Sequence, residues 1–202
     1  MKMLFAAARA VAGVAGLVAV VATFLDTASR TTINPFNFFG FFTTQSNILT
    51  ALVFLMLAVV GFAGRTPSPA LRFAHASVTT YIVIVGIVYN TLLVGLEGGI
   101  TLAWANVVLH AVIPVYAAID WVFFGDREPL PWKSVWVVLI YPVVWLTVVI
   151  IRGATDGWVP YPFLDPGLGY GVVAMYAIGI AVAIGVVGIG VWALSRVRIL
   201  TP

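Results

Sequence analysis

Two polar stripes interrupt the apolar runs of this chain. Thr43, Asn47 and Thr50 stand at i, i+4 and i+7, and Asn106, His110 and Pro114 at i, i+4 and i+8. Each spacing is one face of a helix. A hydroxyl on one helix and an imidazole on another are the parts of a nucleophile and its base, with Asn side chains or backbone N–H groups as oxyanion donors. A threonine hydroxyl is a weak nucleophile on its own, so this chemistry requires the base to be close. An ionisable residue at membrane depth is costly to insert, which makes His110 a functional candidate by default. An Asn or Thr taken singly is ordinarily an interhelical hydrogen-bond link.

The elements that must carry these stripes follow from composition. The chain is 62% hydrophobic and 8% charged, with a mean hydropathy of +1.12. A water-soluble domain of this size has too little polar surface for that, so the expectation is an integral membrane protein. The apolar runs are continuous, not alternating, which selects helices over a β-barrel. Six runs approach the roughly 20 residues that cross a bilayer, at 6–25, 41–64, 76–96, 102–124, 132–151 and 170–194. The first continues into Phe24-Leu25-Asp26 without a small-residue cleavage site, and so is read as a span and not a signal peptide. The expectation is an all-α membrane protein, one domain over 1–202, with six transmembrane helices.

Orientation follows from the basic residues. Lys2, Arg9, Arg65, Arg72, Arg127, Lys133, Arg196 and Arg198 fall on the side of the termini, against Arg30 and Arg152 on the other. That bias puts both termini in the cytoplasm. The inner loops are short and broken by Pro and Gly. The outer loops, 26–40 and 152–169, are longer and rich in aromatics and prolines, which suits interfacial or lid-like segments. The last span is almost pure Gly, Ala, Val and Ile, and Gly179, Gly185, Gly188 and Gly190 offer small faces for close helix packing.

Counting about 1.5 Å per residue from the outer end of each span puts Thr43, Thr44 and Asn47 roughly 3 to 9 Å down. Asn90 then lies about 9 Å deep, Asn106 about 6 Å and His110 about 12 Å, with Trp145 at a similar depth to His110 and Arg152 at the rim. Polar residues from four helices thus share the outer half of the membrane, and the two stripes are expected to face each other. Asp120 is ten residues from His110, roughly 15 Å along the helix, too far to orient it. A structural pairing of Asp120 with Arg65, Arg72 or Arg127 is expected, and His75 is placed at the solvated loop edge.

No cysteine is present, and His110 is the single imidazole assigned to a span. No metal site and no cofactor are expected, since three or four ligands cannot be assembled and His75 and His110 lie too far apart in depth for bis-histidine haem. Nothing points to nucleic acid. The partners expected are membrane lipids, with a lipid ester entering sideways from the outer leaflet as substrate. Nothing in the sequence sets an oligomeric state.

Several patches resemble the bacterial six-span relatives of the vertebrate androgen-inducible membrane hydrolases. They are Phe42-Thr43-Thr44-Gln45-Ser46-Asn47, Leu109-His110-Ala111-Val112-Ile113-Pro114 with Asp120-Trp121, Tyr141-Pro142, and Tyr161-Pro162-Phe163 near Asp165. The resemblance implies a threonine hydrolase of fatty acid esters of hydroxy fatty acids in a bacterial plasma membrane. Its nucleophile lies at the start of span two and its histidine, His110, in span four. The vertebrate pattern, Thr three residues before Asn, selects Thr44. The bacterial pattern, Phe-Thr followed by Ser-Asn, selects Thr43, which also shares a stripe with Asn47. Asn47, Asn90, Asn106, Trp145 and Arg152 would bind or orient substrate. The alternative from the residues is a lipid- or small-molecule-binding or transport protein, with Asp120 and His110 as a proton relay. A third is a structural subunit whose polar residues only join helices.

The cysteine-free chain makes orientation directly testable. A single cysteine at Ser68 should react with a membrane-impermeant maleimide only after cells are opened, and one at Ser29 should react in intact cells.

Overall fold

The computed structural model describes residues 1–95, 102–197 and 199–200. Among these, six helices are long and apolar enough to cross a membrane: α1 (Lys2–Arg30), α2 (Phe42–Phe62), α3 (Pro69–Leu93), α4 (Ala103–Phe123), α5 (Trp132–Thr155) and α6 (Tyr170–Leu194). Leu96 and Arg198, assigned from sequence to a span end and a terminal segment, lie outside the described residues.

Local chemistry sets the helix ends. Ser68 caps α3 by accepting the Leu71 N–H, with Pro69 pre-set in the first turn. Gly64 ends the α2 connection at φ 66°, a left-handed conformation that costs glycine little. Pro142 has no N–H to offer the Val138 carbonyl, and the first half of α5, Trp132–Leu139, is a tighter 3-10 helix up to that point. On the outer side, Asn34 caps a one-turn helix, Pro35–Phe38, that lies beside the entry to α2.

The first four spans close on one another, α1 against α2, α2 against α3, α3 against α4, and α4 back against α1. The last two pack on α3 from outside, and only 17% of the window tested in each is buried. Close approach inside the four-helix group depends on small residues. A Cβ on Gly13 would sit 2.9 Å from the Ala51 carbonyl oxygen, and one on Gly86 would sit 2.8 Å from the Pro114 ring. In α6 the expected glycine face is used at one position. Gly188 meets Val138, while Gly179, Gly185 and Gly190 have nothing within 4 Å of an added Cβ. The reason is position: α6 is peripheral, and most of its surface has no helix against it.

The half of the bundle near the termini is built around an ion cluster that differs from the sequence expectation. Arg9, counted above among rim charges, is buried in α1. Its guanidinium donates to both oxygens of Asp120, at 2.7 and 3.2 Å, and to both oxygens of Asp126, at 2.5 and 2.9 Å. The His75 Nε2 lies 2.9 Å from Asp120. His75 is therefore inside α3 and 2% exposed, not solvated at a loop edge, and His110 is not the only span imidazole. Asp120 pairs with neither Arg72 nor Arg127. Arg72 pairs with Glu128, and Arg127 lies over the Trp121 ring and donates to backbone carbonyls of 124, 194 and 197. Arg9 wins because α1 packs directly on α4 at this level, and two parallel N–H···O bonds suit a planar guanidinium.

Breaking this cluster from one side leaves an unpaired buried charge. Asp120→Asn or Arg9→Met should each cost about 3–5 kcal/mol, and the double variant Arg9→Met/Asp120→Leu less than the two losses summed. Unfolding curves in detergent measure both.

Candidate functional site

The outer half is held by two widened π-turns that face each other, Tyr89–Leu93 in α3 and Val108–Val112 in α4. Pro114 explains the second. It has no N–H for the His110 carbonyl, and the Asn90 side chain supplies a donor instead, at 3.1 Å, while also bonding the Gly86 carbonyl at 2.8 Å. Gly86 lets α3 come close enough for this, against Pro114. The clasp is reciprocal. Asn106 of α4 donates to the Tyr89 hydroxyl at 2.6 Å, and the Tyr89 ring stacks on His110 at 3.7 Å between centroids. Turns of this kind recur at functional sites because they re-aim side chains without ending the helix.

His110 is buried, and its Nδ1 lies 3.0 Å from the Asn106 carbonyl oxygen. A carbonyl only accepts, so that bond puts the hydrogen on Nδ1 and leaves Nε2 with its lone pair, the form a general base needs.

Thr43 stands elsewhere in the same half. Its hydroxyl and backbone N–H both lie 3.2 Å from the Tyr161 hydroxyl oxygen, the N–H as donor. Tyr161 belongs to the outer loop between α5 and α6. It is set by edge contact with Phe41 and by stacking on Phe163, which stacks in turn on Tyr176 of α6. Desolvation among these groups pushes the phenol above its ordinary value, so Tyr161 stays a protonated donor.

Thr43 and Tyr161 sit at the polar end of an apolar slot of about 90 Å³ between α3, α5 and α6. Its walls include Ile84, Val88, Leu146 and Ile184, and Tyr89 lines it too. Along α6 the slot runs from Ala177 to Ile184, seven residues or roughly 10 Å. It exists because the outer half of α5 leans on the loop and not on α3. Trp145 lines the slot, and its Nε1 donates to the Gly40 carbonyl at 2.9 Å. Beside it, Phe42 and Tyr141 stack, and the Tyr141 hydroxyl donates to Gln45 at 2.6 Å.

The sequence-derived residues therefore divide. Thr43 and Trp145 line the slot, whereas Thr44 and His110 do not. Thr44 belongs to the stripe of Ile48 and Ala51, which turns toward α1. Asn47 joins the two stripes, donating to the Thr43 carbonyl at 3.0 Å and to the Leu109 carbonyl at 3.3 Å, so α2 and α4 do meet at that depth. Thr50 is buried with its hydroxyl unpartnered. Asn90 and Asn106 hold the π-turn clasp. Arg152 is at the outer rim, bonded to Asn37 and Asp156 and stacked on Trp158. Its guanidinium holds the Asp156 carboxyl below the ordinary range. No hydrogen bond among the described residues joins His110 to either threonine, and Asp120 is engaged by Arg9, away from His110.

Compared with known proteins, the chain matches no family model, no curated protein and no solved structure. The site is therefore argued on its own geometry.

Sequence reasoning missed Tyr89, Tyr161, Arg9 and the burial of His75. Arg9 carried a signal, a charge within a long apolar run, and Tyr89 sits next to the polar Asn90. Tyr161 is one aromatic among many in its loop. Among the described residues, no group of three or more His, Cys, Asp or Glu forms a metal site.

Gly86→Ala tests the helix approach under this site. The added methyl overlaps the Pro114 ring, so the variant should lose about 1–3 kcal/mol in thermal or denaturant unfolding. Gly185→Ala, facing open space, should melt as the parent does.

Proposed function

We propose that the protein is an intramembrane hydrolase of lipid esters, with Thr43 as nucleophile and His110 as base. The observation that carries this reading is the placement of one hydroxyl, Thr43, at the polar end of an otherwise apolar slot in the outer half of the bundle. An acyl chain enters the slot from the surrounding lipid and brings its ester to Thr43. The bare Nε2 of His110 supports the role of base, as does the stacked Tyr89, which covers His110 and itself lines the slot. Rotation of the Tyr89 ring at its π-turn is the motion that brings base and nucleophile into one space. Thr43 is preferred to Thr44 because Thr44 does not line the slot. The resemblance of the Thr-Gln-Ser-Asn and His-Ala-Val-Ile-Pro patches to the androgen-inducible membrane hydrolases points the same way. On this reading the protein sits in a cell membrane with both termini cytoplasmic, where its partners are the lipids of the outer leaflet.

A second reading, lipid binding without turnover, is favoured by one observation: the Thr43 hydroxyl is bonded to Tyr161 and not to His110. Covalent labelling separates the two. A fluorophosphonate probe should form one adduct, on Thr43, that is lost in Thr43→Ala and His110→Ala and kept in Thr44→Ala. Turnover of a long-chain p-nitrophenyl ester should fall about 10²–10⁴-fold in His110→Ala at unchanged melting temperature. No adduct in folded protein, with co-purified lipid chemically unchanged over time, would establish the binding reading.

A further inference from the structure

We propose that Tyr161 is a catalytic residue, the oxyanion donor of this site; the inference rests on the hydrolase reading above. Three observations carry it. The Tyr161 hydroxyl oxygen is 3.2 Å from the Thr43 hydroxyl and 3.2 Å from the Thr43 backbone nitrogen. It lines the apolar slot beside Thr43, so a carbonyl brought to Thr43 meets it. Its phenol is held protonated by desolvation, which makes it a donor and not a base.

The geometry fits the reaction atom by atom. Thr43 Oγ1 forms a bond to the ester carbonyl carbon as His110 takes the hydroxyl proton. The carbonyl π pair moves onto oxygen and leaves an oxyanion on the same carbon that now holds Oγ1. A phenol already within hydrogen-bond distance of Oγ1 therefore reaches the oxyanion by turning its O–H from one oxygen to the other. The Thr43 N–H belongs to the first turn of α2, where backbone donors have no partner within the helix and the helix dipole favours negative charge. In the resting structure that N–H is satisfied by the Tyr161 oxygen, and in the reaction it becomes the second donor. The tetrahedral centre then collapses: the ester C–O bond breaks, and the proton on His110 passes to the leaving alkoxide. Water hydrolyses the acyl-threonine by the same route in reverse order.

The loop position of Tyr161 adds a consequence. The donor arrives with the segment that roofs the slot, so the oxyanion site is complete only when Phe163 is docked on Tyr176 and Tyr161 on Phe41. Hydrolysis is tied in this way to a closed roof over the acyl chain.

The test uses Tyr161→Phe and Thr43→Ala in the full chain in lipid nanodiscs, with a long-chain p-nitrophenyl ester as substrate. Tyr161→Phe should lower kcat about 10²–10³-fold, the usual cost of one oxyanion donor, and leave KM within about threefold. Binding of a long-chain trifluoromethyl ketone, which forms an oxyanion adduct, should weaken about 10²-fold in Tyr161→Phe. The matching secondary alcohol, with the same chain and no oxyanion, should bind variant and parent alike. Parallel weakening of ketone and alcohol means that Tyr161 only shapes or stabilises the slot, and overturns the proposal. Parental kcat in Tyr161→Phe with an inactive Thr43→Ala overturns it too, and leaves the hydrolase reading standing. Absence of turnover in the parent, or full activity in Thr43→Ala, removes both.

Discussion

The buried pairing of Arg9 with Asp120 is the constraint on which the rest of the bundle depends. A guanidinium and a carboxylate are both costly at membrane depth, and neither is tolerable without the other. Because Arg9 is on α1 and Asp120 on α4, their pairing joins the chain's first and fourth spans and turns a row of helical hairpins into a closed group. Asp126, just past the end of α4, takes the rest of the guanidinium, and His75 brings α3 to the same centre. Around it, the rings of Phe5 and Phe124 stack at 4.0 Å and Trp121 meets His75 edge-on, so the charges are wrapped in aromatic surface. Such a cluster contributes less net stability than its Coulomb energy implies, since desolvation opposes it. It does specify which faces of four helices meet.

That specification carries outward. With α1 to α4 locked near the termini, the other end can accept backbone irregularity, and it holds two π-turns and a proline within the same clasp. The polar groups freed there are recovered by Asn90 and Asn106, each reaching across to the other helix. The peripheral spans complete the division of labour. Since α5 and α6 pack on α3 from outside, a gap between them becomes an apolar slot. Its polar end is set by the first turn of α2 and by the loop that carries Tyr161. A rigid charged base under an adaptable outer half is a reasonable arrangement for a site that must admit lipid sideways.

Comparison of particular residues shows what the sequence could and could not say. The six spans were legible from the length of the apolar runs, because the bilayer forces each one to satisfy its own backbone in a helix. The stripe of Thr43, Asn47 and Thr50 was legible too, since periodicity reports which residues share a face. Which face of which helix it met was not. Asn47 does reach α4, yet Thr43 turns to a loop tyrosine 118 positions away, and His110 turns to Tyr89. The glycines of α6 illustrate the converse, for a small-residue stripe is a packing face only where a helix is present to use it.

The sequence by itself determined the class of molecule, the number of spans, their limits within a few residues, and the outer-half depth of the polar stripes. Each of these follows from local composition and a fixed rise per residue. Only the tertiary structure decided that Arg9 and His75 are interior partners of Asp120, that Tyr89 covers His110, and that Thr43 shares its slot with Tyr161. These are choices among many cations, rings and hydroxyls of equal local standing. Nothing within a helix ranks them. They are settled when whole faces pack together and each buried polar group must find a partner among those that arrive at its depth.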